Sequence, residues 1–435
     1  MTNRQGLEDE VIRICQDLIR IPSVNFGDGK GDERAVADYV VACLAEVGIS
    51  SSIYESAPGR CNVITRIAGR DSARAGLVVH GHLDVVPANA DDWSVDPFCG
   101  DIIDGMIWGR GAVDMKNMDA MILATVRDWA RTGYVPPRDI VLAFFADEEA
   151  GSILGSHWMV KNYPQLFAGC SEAISEVGGF SVTVGGGKRL YMIETAEKGI
   201  HWMRLTARGR AGHGSVINNE NALTRLTAAV AQIGNYQWPQ RYSATVKELL
   251  KRVAAASGKV YDEKDLRPLL EEFGFAARMI GATLQNTANP TMLEAGYKAN
   301  VIPSSASAVI DGRFIPGFED ELIETIKGLI GAHISVETIT RDKALEVPFE
   351  GDLVDAMSRS IIKEDPQAIP VPYLMSGGTD NKALADLGII GYGFSPLKLD
   401  KDFDFMAMFH GVDERVPVEG LKFGVRVLKD FLESC

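Results

Sequence analysis

The sequence predicts an α/β protein with a mainly parallel central sheet and an inserted second domain. Three observations support this fold class. Strand-like apolar runs alternate with amphipathic helical segments up to residue 197, a pattern typical of a parallel sheet covered by helices. The alternation stops near Lys198 and resumes after Pro316. The chain of 435 residues also exceeds the length at which a single hydrophobic core usually divides.

The first part of the chain begins with two amphipathic helices. Apolar side chains at helical spacing predict a helix over residues 7–19, which ends before Pro22, and a second over residues 33–47, which ends at Gly48. The segments that follow are strand 63–67, strand 76–79, helix 117–131, strand 140–146 and strand 173–175.

Residues 198–316 differ in character and are predicted to form the inserted domain. They contain a strand-like run 201–207, a helix 221–233 and a charged stretch 244–278. Beyond Pro316 the alternating pattern continues with helix 319–330, strand 335–339, helix 352–363, strand 388–393 and helix 418–431. The first domain is therefore predicted to be discontinuous and to consist of residues 1–197 and 317–435.

Composition and charge restrict the kinds of partner. The formal net charge of −15 argues against nucleic acid or an anionic membrane, since both would repel the protein, and it favours a small-molecule substrate. No apolar run reaches the roughly 18 residues needed to span a bilayer, and charged residues interrupt the amino terminus. Six cysteines are scattered without paired spacing, which is typical of reduced thiols in the cytoplasm.

Histidines and carboxylates follow the ends of several predicted strands. The residues are His82 and Asp84 after strand 76–79, Glu148 and Glu149 after strand 140–146, and Glu176 after strand 173–175. Ligands gather where parallel strands end, and imidazoles and carboxylates are ligands of zinc, with cobalt or manganese as substitutes. Adjacent carboxylates also repel one another unless cations or protons neutralise them. The pattern predicts a centre for two divalent metals and, with it, hydrolytic chemistry.

Single positions leave alternatives open. Asp84 lies on the same face of its strand as His82 and can accept the second imidazole N–H of His82 or of a neighbouring ligand. Asp114 follows a glycine-rich turn and can either bridge two metals or cap the helix that begins near Asn117. One glutamate of the pair after strand 140–146 can bind metal while the other acts as a general base.

Eight motifs together carry a resemblance to a known family. They are HGHLDVVP at 80–87, GRGAVDMK at 109–116, DEEAGS at 147–152, SEVGG at 175–179, GHGS at 212–215, NVIP at 300–303, GGTD at 377–380 and HGVDE at 410–414. With these motifs, over almost its whole length, the chain resembles the M20 family of metallopeptidases, which includes aminoacylase, carboxypeptidase and deacetylase relatives. The resemblance implies a zinc-peptidase-like catalytic domain with an inserted α+β lid through which the protein dimerises.

The resemblance also implies a role for each matching residue. Five residues would hold two zinc ions per subunit: His82 and Glu176 on one ion, Glu149 and His410 on the other, and Asp114 between them. Glu148 would be the general base, Asp84 would orient His82, and the lid residue His213 would stabilise the oxyanion, in its own or the partner subunit's site. Asn300, Gly378 and Thr379 would contact the substrate.

The expected activity is hydrolysis of an amide or peptide bond next to a free carboxylate, in N-acyl amino acids or short peptides. Glu148 would act on water held between the metals. The long stretch 244–278 resembles the carboxypeptidase-S-like and N-acyl-amino-acid-hydrolase branch of the family. Two alternatives remain: a catalytically silent metal-binding protein of the same fold, and a hydrolase of an unusual amide or carbamate. A serine hydrolase is disfavoured because the sequence lacks a GxSxG motif.

Overall fold

The structure is a computed structural model that describes residues 3–27 and 29–435. Its α-helices are α1 (Asn3–Ile19), α2 (Arg34–Ala45), α3 (Lys116–Thr132), α4 (Ser156–Asn162), α5 (Ala222–Gly234), α6 (Ala244–Ser257), α7 (Arg267–Leu270), α8 (Ala277–Ala282), α9 (Glu319–Ile330), α10 (Asp352–Glu364), α11 (Asn381–Leu384) and α12 (Val418–Ser434). None of the helices in these described ranges combines the length and apolar character that crossing a bilayer requires.

The strands form two large sheets and three small ones. They are β1 (Asn25–Gly27), β2 (Lys30–Gly31), β3 (Ser52–Ala57), β4 (Arg60–Ile67), β5 (Gly76–His82), β6 (Ile102–Ile103), β7 (Met106–Trp108), β8 (Ile140–Phe145), β9 (Cys170–Ser175), β10 (Phe180–Val184), β11 (Lys188–Glu197), β12 (Gly199–Arg208), β13 (Gly212–His213), β14 (Thr287–Ala295), β15 (Val301–Ile302), β16 (Ser305–Phe314), β17 (Ile334–Asp342), β18 (Leu345–Glu346), β19 (Ala368–Met375), β20 (Ile390–Gly393) and β21 (Arg415–Pro417).

A ten-stranded sheet forms the centre of the first domain and confirms the α/β class. Its strand order is β10-β11-β20-β9-β5-β8-β4-β3, and β18 and β19 also pair with β11. The sheet is mixed: β20, β9, β5 and β8 pair in parallel, while β10 and the β4–β3 end pair antiparallel. Every residue of β5 and β8 is buried, as expected for parallel strands covered on both faces.

Alternation along the central strands divides the core between the two faces of this sheet. Leu77 and Val79 of β5 face the main core, whereas Val78 faces a smaller cluster that includes Met159 of α4 and Leu384 of α11. Helices α1, α3 and α12 pack against one another beside the main core. The period of two along each strand therefore fixes which helices cover which face.

A four-stranded antiparallel sheet, in the order β14-β16-β12-β17, forms the second domain. Helices α5 and α9 pack on it around a separate core. Helix α9 and strand β17 were predicted to belong to the resumed first domain, and the structure differs here. Strand β17 pairs with β12 from Ala207↔Ile334 to Ile200↔Asp342, and Leu322 of α9 lies in the second core. We therefore place the return to the first domain near residue 343 instead of 317.

Helices α6, α7 and α8 also lie elsewhere than the sequence suggested. The charged stretch 244–278 was assigned to the inserted domain, but α6 packs against β19 and β11 of the large sheet. Val246, Leu249 and Val253 of α6 are buried in the main core. Their helical spacing shows that α6 buries one face, while its charged side chains occupy the outer face. The chain thus leaves the second domain after α5 and re-enters it at β14.

Candidate metal centre

The predicted metal-ligating side chains meet at the carboxyl ends of three adjacent parallel strands. His82 is the last residue of β5, which lies between β8 and β9. Glu148 and Glu149 lie in a 3-10 helix, Glu148–Ala150, directly after β8. Glu176 follows the last residue of β9. Because these strands run in the same direction, their ends present side chains to one edge of the sheet.

Two groups of ligand atoms form around Asp114. His82 Nε2 lies 3.1 Å from Asp114 Oδ1 and 3.6 Å from Glu176 Oε2. On the other side, His410 Nε2 lies 3.3 Å from Asp114 Oδ2 and 3.0 Å from Glu149 Oε2. Within each group, one atom from every residue lies within 4.8 Å of the others. Asp114 therefore directs one oxygen to each group, as a bridging carboxylate does.

The charge balance of these groups fits bound cations. Burial, together with the charges of Asp114 and Glu149, raises the pKa of Glu176 to about 8, although His82 opposes the rise. Burial and the Asp114 charge likewise raise the pKa of Glu149, and its Oε1 is buried without a hydrogen-bond partner. Divalent cations would relieve the repulsion and occupy the unused oxygen. The imidazole and carboxylate donors suit zinc and its usual substitutes.

The two imidazoles are strongly influenced by the carboxylates around them. Burial alone would lower the pKa of His82, but Glu176, Asp114 and Asp84 raise it well above its ordinary value. Hydrogen bonds to Asp114 and Glu149 raise the pKa of His410 to about 10. In the absence of metal, the histidines therefore carry protons that a cation would displace.

The tautomer of His82 follows from a single contact. Its Nδ1 lies 2.9 Å from the carbonyl oxygen of Asp84, and a carbonyl oxygen can only accept. The Nδ1–H therefore donates to that oxygen, which leaves Nε2 free to bind metal. The Asp84 carboxylate is farther from Nδ1, at 3.5 Å. Orientation of His82 by Asp84 thus runs mainly through the backbone carbonyl, a detail that the sequence did not predict.

The Asp84 carboxylate instead holds the loop that carries the two glutamates. Its Oδ1 accepts from the Glu148 amide and its Oδ2 from the Glu149 amide, both at 3.1 Å. Asn25 Nδ2 donates to Asp84 Oδ2 at 2.9 Å and to Asp147 Oδ1 at 3.1 Å. Asp147 has a positive φ of 66°, which turns the chain sharply after β8. Asn25 has no sequence signal of its own as a residue of this site.

Glu148 lies beside both ligand groups without belonging to either. Its Oε2 is 4.0 Å from His82 Nε2. Burial, followed by the Glu176 charge, raises the pKa of Glu148 well above its ordinary value. A carboxylate whose pKa is raised in this way holds a proton more readily than a free glutamate does.

The loop that carries Asp114 is held by Glu414, which sequence reasoning missed. Glu414 is fully buried and accepts from Arg110 Nη1 at 2.6 Å and from the amides of Gly111, Val113 and Asp114 at 3.1, 2.8 and 3.3 Å. Its place at the end of the HGVDE motif was the available signal. The N-cap alternative for Asp114 is wrong, because Met115 occupies that position and no side chain caps α3.

The lid residues His213 and Asn300 lie next to each other in the second domain. Strand β13 pairs with β15, and the Gly214 amide donates to the Asn300 carbonyl oxygen at 2.9 Å. His213 is exposed, and its Nδ1 lies 2.8 Å from Ser215 Oγ. Among the described residues, His213 belongs to neither group of ligand atoms around Asp114. The structure therefore does not bring His213 to the metal ligands of the same chain.

Gly378 and Thr379 lie in a loop before α11. The Thr379 amide and hydroxyl donate to Glu197 at 3.0 and 2.6 Å, so its polar groups are already paired. A side chain at Gly378 would collide with the stem of Lys382. Packing thus accounts for both residues in this conformation, and their contact with substrate stays a prediction. His80 lies apart from the ligand groups, with Nε2 2.9 Å from Asn381 Oδ1.

Comparison with known proteins identifies the family. The model of peptidase family M20/M25/M40 matches residues 78–434. The chain belongs to this family. It is 27% identical over 455 residues to the N-fatty-acyl-amino acid synthase/hydrolase PM20D1 of Mus musculus, covering 99% of this chain and 89% of that protein. It is 25% identical over 439 residues to aminoacylase-1 of Sus scrofa, covering 99% and 96%.

A solved structure supports the fold. The M20 family metallo-carboxypeptidase from Sulfolobus solfataricus superposes with a TM-score of 0.75 at 18% identity, covering 98% of this chain and 99% of that one. Membership of the M20 family makes the protein a metal-dependent hydrolase of amide bonds.

Proposed function

We propose that this M20 protein is a dinuclear zinc hydrolase that cleaves the amide or peptide bond next to a free carboxylate in N-acyl amino acids or short peptides. The observation that carries the proposal is the shared Asp114, whose two oxygens face two separate imidazoles at 3.1 and 3.3 Å. The names of the similar mouse synthase/hydrolase and pig aminoacylase support the substrate class.

Five residues would hold the two metals: His82 and Glu176 one ion, Glu149 and His410 the other, with Asp114 between them. When bound, such ions supply Lewis-acid chemistry, which lowers the pKa of water and polarises a carbonyl group. Cobalt or manganese would fit the same donors. The buried carboxylate of Glu414 would keep Asp114 in place while metal enters and leaves.

Glu148 would carry the proton through the reaction. Its carboxylate takes a proton from the attacking water, holds it, and gives it to the nitrogen of the leaving amine. The pKa of Glu148 is raised by burial and by Glu176. A raised pKa makes the carboxylate a stronger base towards water, and the protonated group can then donate to the leaving amine. The amides of Glu148 and Glu149, fixed by Asp84, keep the base and its neighbouring ligand at constant separation.

The second domain would complete the site. An imidazole such as that of His213 can stabilise a developing oxyanion, and Asn300 lies beside it to contact substrate. Gly378 and Thr379 would bind the substrate carboxylate if their loop opens from Glu197. Since His213 is exposed and separate from the ligand groups of the same chain, we propose that the partner subunit of a homodimer supplies it.

The second domain also offers a surface for that dimer. Strand β14 is an edge strand, and seven of its nine residues are exposed. An exposed edge with apolar side chains such as Met292 and Leu293 favours pairing with another chain. We further propose a cytoplasmic location, which the six unpaired cysteines support. Nucleic acid and membrane are not proposed as partners, because the net charge is −15.

The test is amine release from a panel of N-acetyl and N-fatty-acyl amino acids and dipeptides. Zinc-loaded protein, chelator-treated protein and the Glu148→Gln variant are compared, with metal content measured for each. Glu324→Gln, at an exposed position of α9, serves as the matched control. We expect zinc-dependent turnover that falls at least ~100-fold in Glu148→Gln, with metal content unchanged and the control fully active.

Other outcomes favour the alternatives. Metal binding without turnover on any panel member would favour a catalytically silent metal-binding protein or a hydrolase of an unusual amide or carbamate. Activity that survives complete metal removal would contradict the metal mechanism itself. Full activity in Glu148→Gln would remove that residue from the proton transfers.

A further inference from the structure

A buried lysine lies at the junction between the two domains. Lys382 is the second residue of α11 and is almost fully buried. Its ammonium donates to the carbonyl oxygen of Lys198 at 2.7 Å and to that of Lys343 at 2.6 Å, and it lies 3.5 Å from Glu197 Oε2. The ammonium thus has two carbonyl acceptors, and the Glu197 carboxylate balances its charge.

The two carbonyl groups belong to two different passages of the chain between the domains. Lys198 separates β11 of the large sheet from β12 of the second-domain sheet. Lys343 follows β17, and the chain then returns through β18 to pair with β11. One ammonium therefore binds the backbone where the chain enters the second domain and again where it leaves it for the last time.

The same lysine is joined to the loop beside the metal centre. The carboxylate of Glu197, its ionic partner, accepts hydrogen bonds from both the amide and the hydroxyl of Thr379. The neighbouring residues contact the elements that border the centre: Asn381 Oδ1 lies 2.9 Å from Nε2 of His80 in β5, the strand that ends at His82, and Asp380 accepts from Ser156 Oγ at 2.5 Å. Movement at either passage would thus be transmitted to the loop at residues 376–382 through buried charged contacts.

We propose that Lys382 is a positioning residue, which fixes the angle of the second domain relative to the metal centre by fastening both passages to the loop at residues 376–382. The catalytic part of this inference rests on the proposed function, since His213 and Asn300 lie in the domain that Lys382 orients. The structural part does not, because the contacts exist whatever the substrate. The polar partners of the Lys382 ammonium include none of the proposed metal ligands.

The test replaces Lys382 by Met, which keeps the apolar stem and removes every donor. Hydrogen exchange followed by mass spectrometry reads the junction directly, at the Lys198 amide that donates to the Met375 carbonyl oxygen at 3.0 Å. We expect exchange in peptides covering residues 197–201 and 341–346 to accelerate at least tenfold, with exchange in β16, inside the second domain, unchanged. Metal content should stay at the wild-type level.

The kinetic readout separates positioning from loss of stability. Activity is measured with the best substrate of the panel and divided by the concentration of folded, metal-loaded protein. We expect the kcat obtained in this way to fall at least tenfold. Arg138→Met is the matched control, because Arg138 is a buried cation that contacts the Ala75 carbonyl oxygen and Glu172 at the opposite end of the sheet. This control should lose stability without faster exchange at the junction.

If Lys382→Met does not fold, the double variant Lys382→Met with Glu197→Gln is used in its place, because it removes both buried charges together. Unchanged junction exchange in either folded variant would overturn the proposal. Faster junction exchange with unchanged kcat would overturn the catalytic part. If wild-type protein turns over no panel member, the proposed function fails, while the exchange experiment still decides whether Lys382 fastens the junction.

Discussion

Replacing Glu414 by Ala tests whether the loop that presents Asp114 depends on one buried carboxylate. Glu414 is fully buried and receives four hydrogen bonds, one from the Arg110 guanidinium and three from backbone amides. The substitution would leave all four donors without an acceptor. Arg110 is itself buried, with 3% of its surface exposed, so water cannot easily replace the lost partner.

The magnitude follows from these contacts. Each buried donor left unsatisfied costs about 1–3 kcal/mol, and removing one partner of a buried ion pair costs about 3–5 kcal/mol. These costs overlap, because relaxation and entry of water relieve several donors together. We expect Glu414→Ala to lower the free energy of unfolding by about 4–6 kcal/mol, a large part of the total of a typical protein. Glu414→Gln retains one acceptor oxygen and should lose about 2–3 kcal/mol.

Urea unfolding followed by tryptophan fluorescence measures the loss, and metal content is measured on the folded fraction. Glu419→Ala is the matched control, since Glu419 is 83% exposed and pairs with Lys422 at the surface, where such pairs contribute about 0–1 kcal/mol. If Glu414→Ala lost less than ~1 kcal/mol, the four contacts would not support the loop as argued. If stability fell but metal affinity did not, Asp114 would not depend on the loop.

Three further predictions concern the metals, a close backbone contact and a buried lysine. Chelation should lower the melting temperature, because metals that bind the native state stabilise it; a melting temperature unaffected by chelation and zinc re-addition would contradict a site formed by these carboxylates. Gly178→Ala should lower the free energy of unfolding by at least ~2 kcal/mol, since its methyl group would collide with the Gly393 carbonyl oxygen; Gly281→Ala, where nothing lies within 4 Å, should be neutral or stabilising in the same urea assay. Burial and the Arg313 charge together lower the pKa of Lys198 to about 7, so above that pH the unfolded chain binds more protons than the folded protein. The free energy of unfolding of the wild type should therefore rise by up to ~1.4 kcal/mol per pH unit between about pH 7 and 10, relative to that of Lys198→Met. Equal pH dependence of the free energy of unfolding in the two proteins would refute this.

Part of the proposed ligand set could be predicted from sequence because His82, Glu149 and Glu176 lie in local motifs at strand ends. His82 and Glu149 follow apolar runs whose length and composition already indicate buried strands, and parallel strands bring their ends together without further information. Glu414 could not be predicted in the same way. Its partners lie about three hundred positions away in the chain, and an acidic residue after a loop carries no sign of burial.

Helix α6 shows a second limit. Its amphipathic pattern predicts correctly that one face is buried, but the pattern does not say which core receives that face. The sequence places α6 between segments of the second domain, whereas Leu249 and Leu250 pack in the core of the first. The position of His213 is a third case, since its distance from the metal ligands of its own chain depends on how the two domains are arranged.

The pairing of β11 with β19 has a consequence for how the protein is made. Residues Arg189 to Glu197 align with Ala368 to Met375, and β20 lies between β11 and β9. The nascent chain must therefore carry an incomplete sheet until Gly393 has left the ribosome. Until β19 has emerged, the apolar face of α6, which packs on both β19 and β11, can cover only β11. Exposed strand edges and apolar faces of this kind promote aggregation. We therefore expect the yield of folded protein to depend on how long these surfaces stay exposed during synthesis.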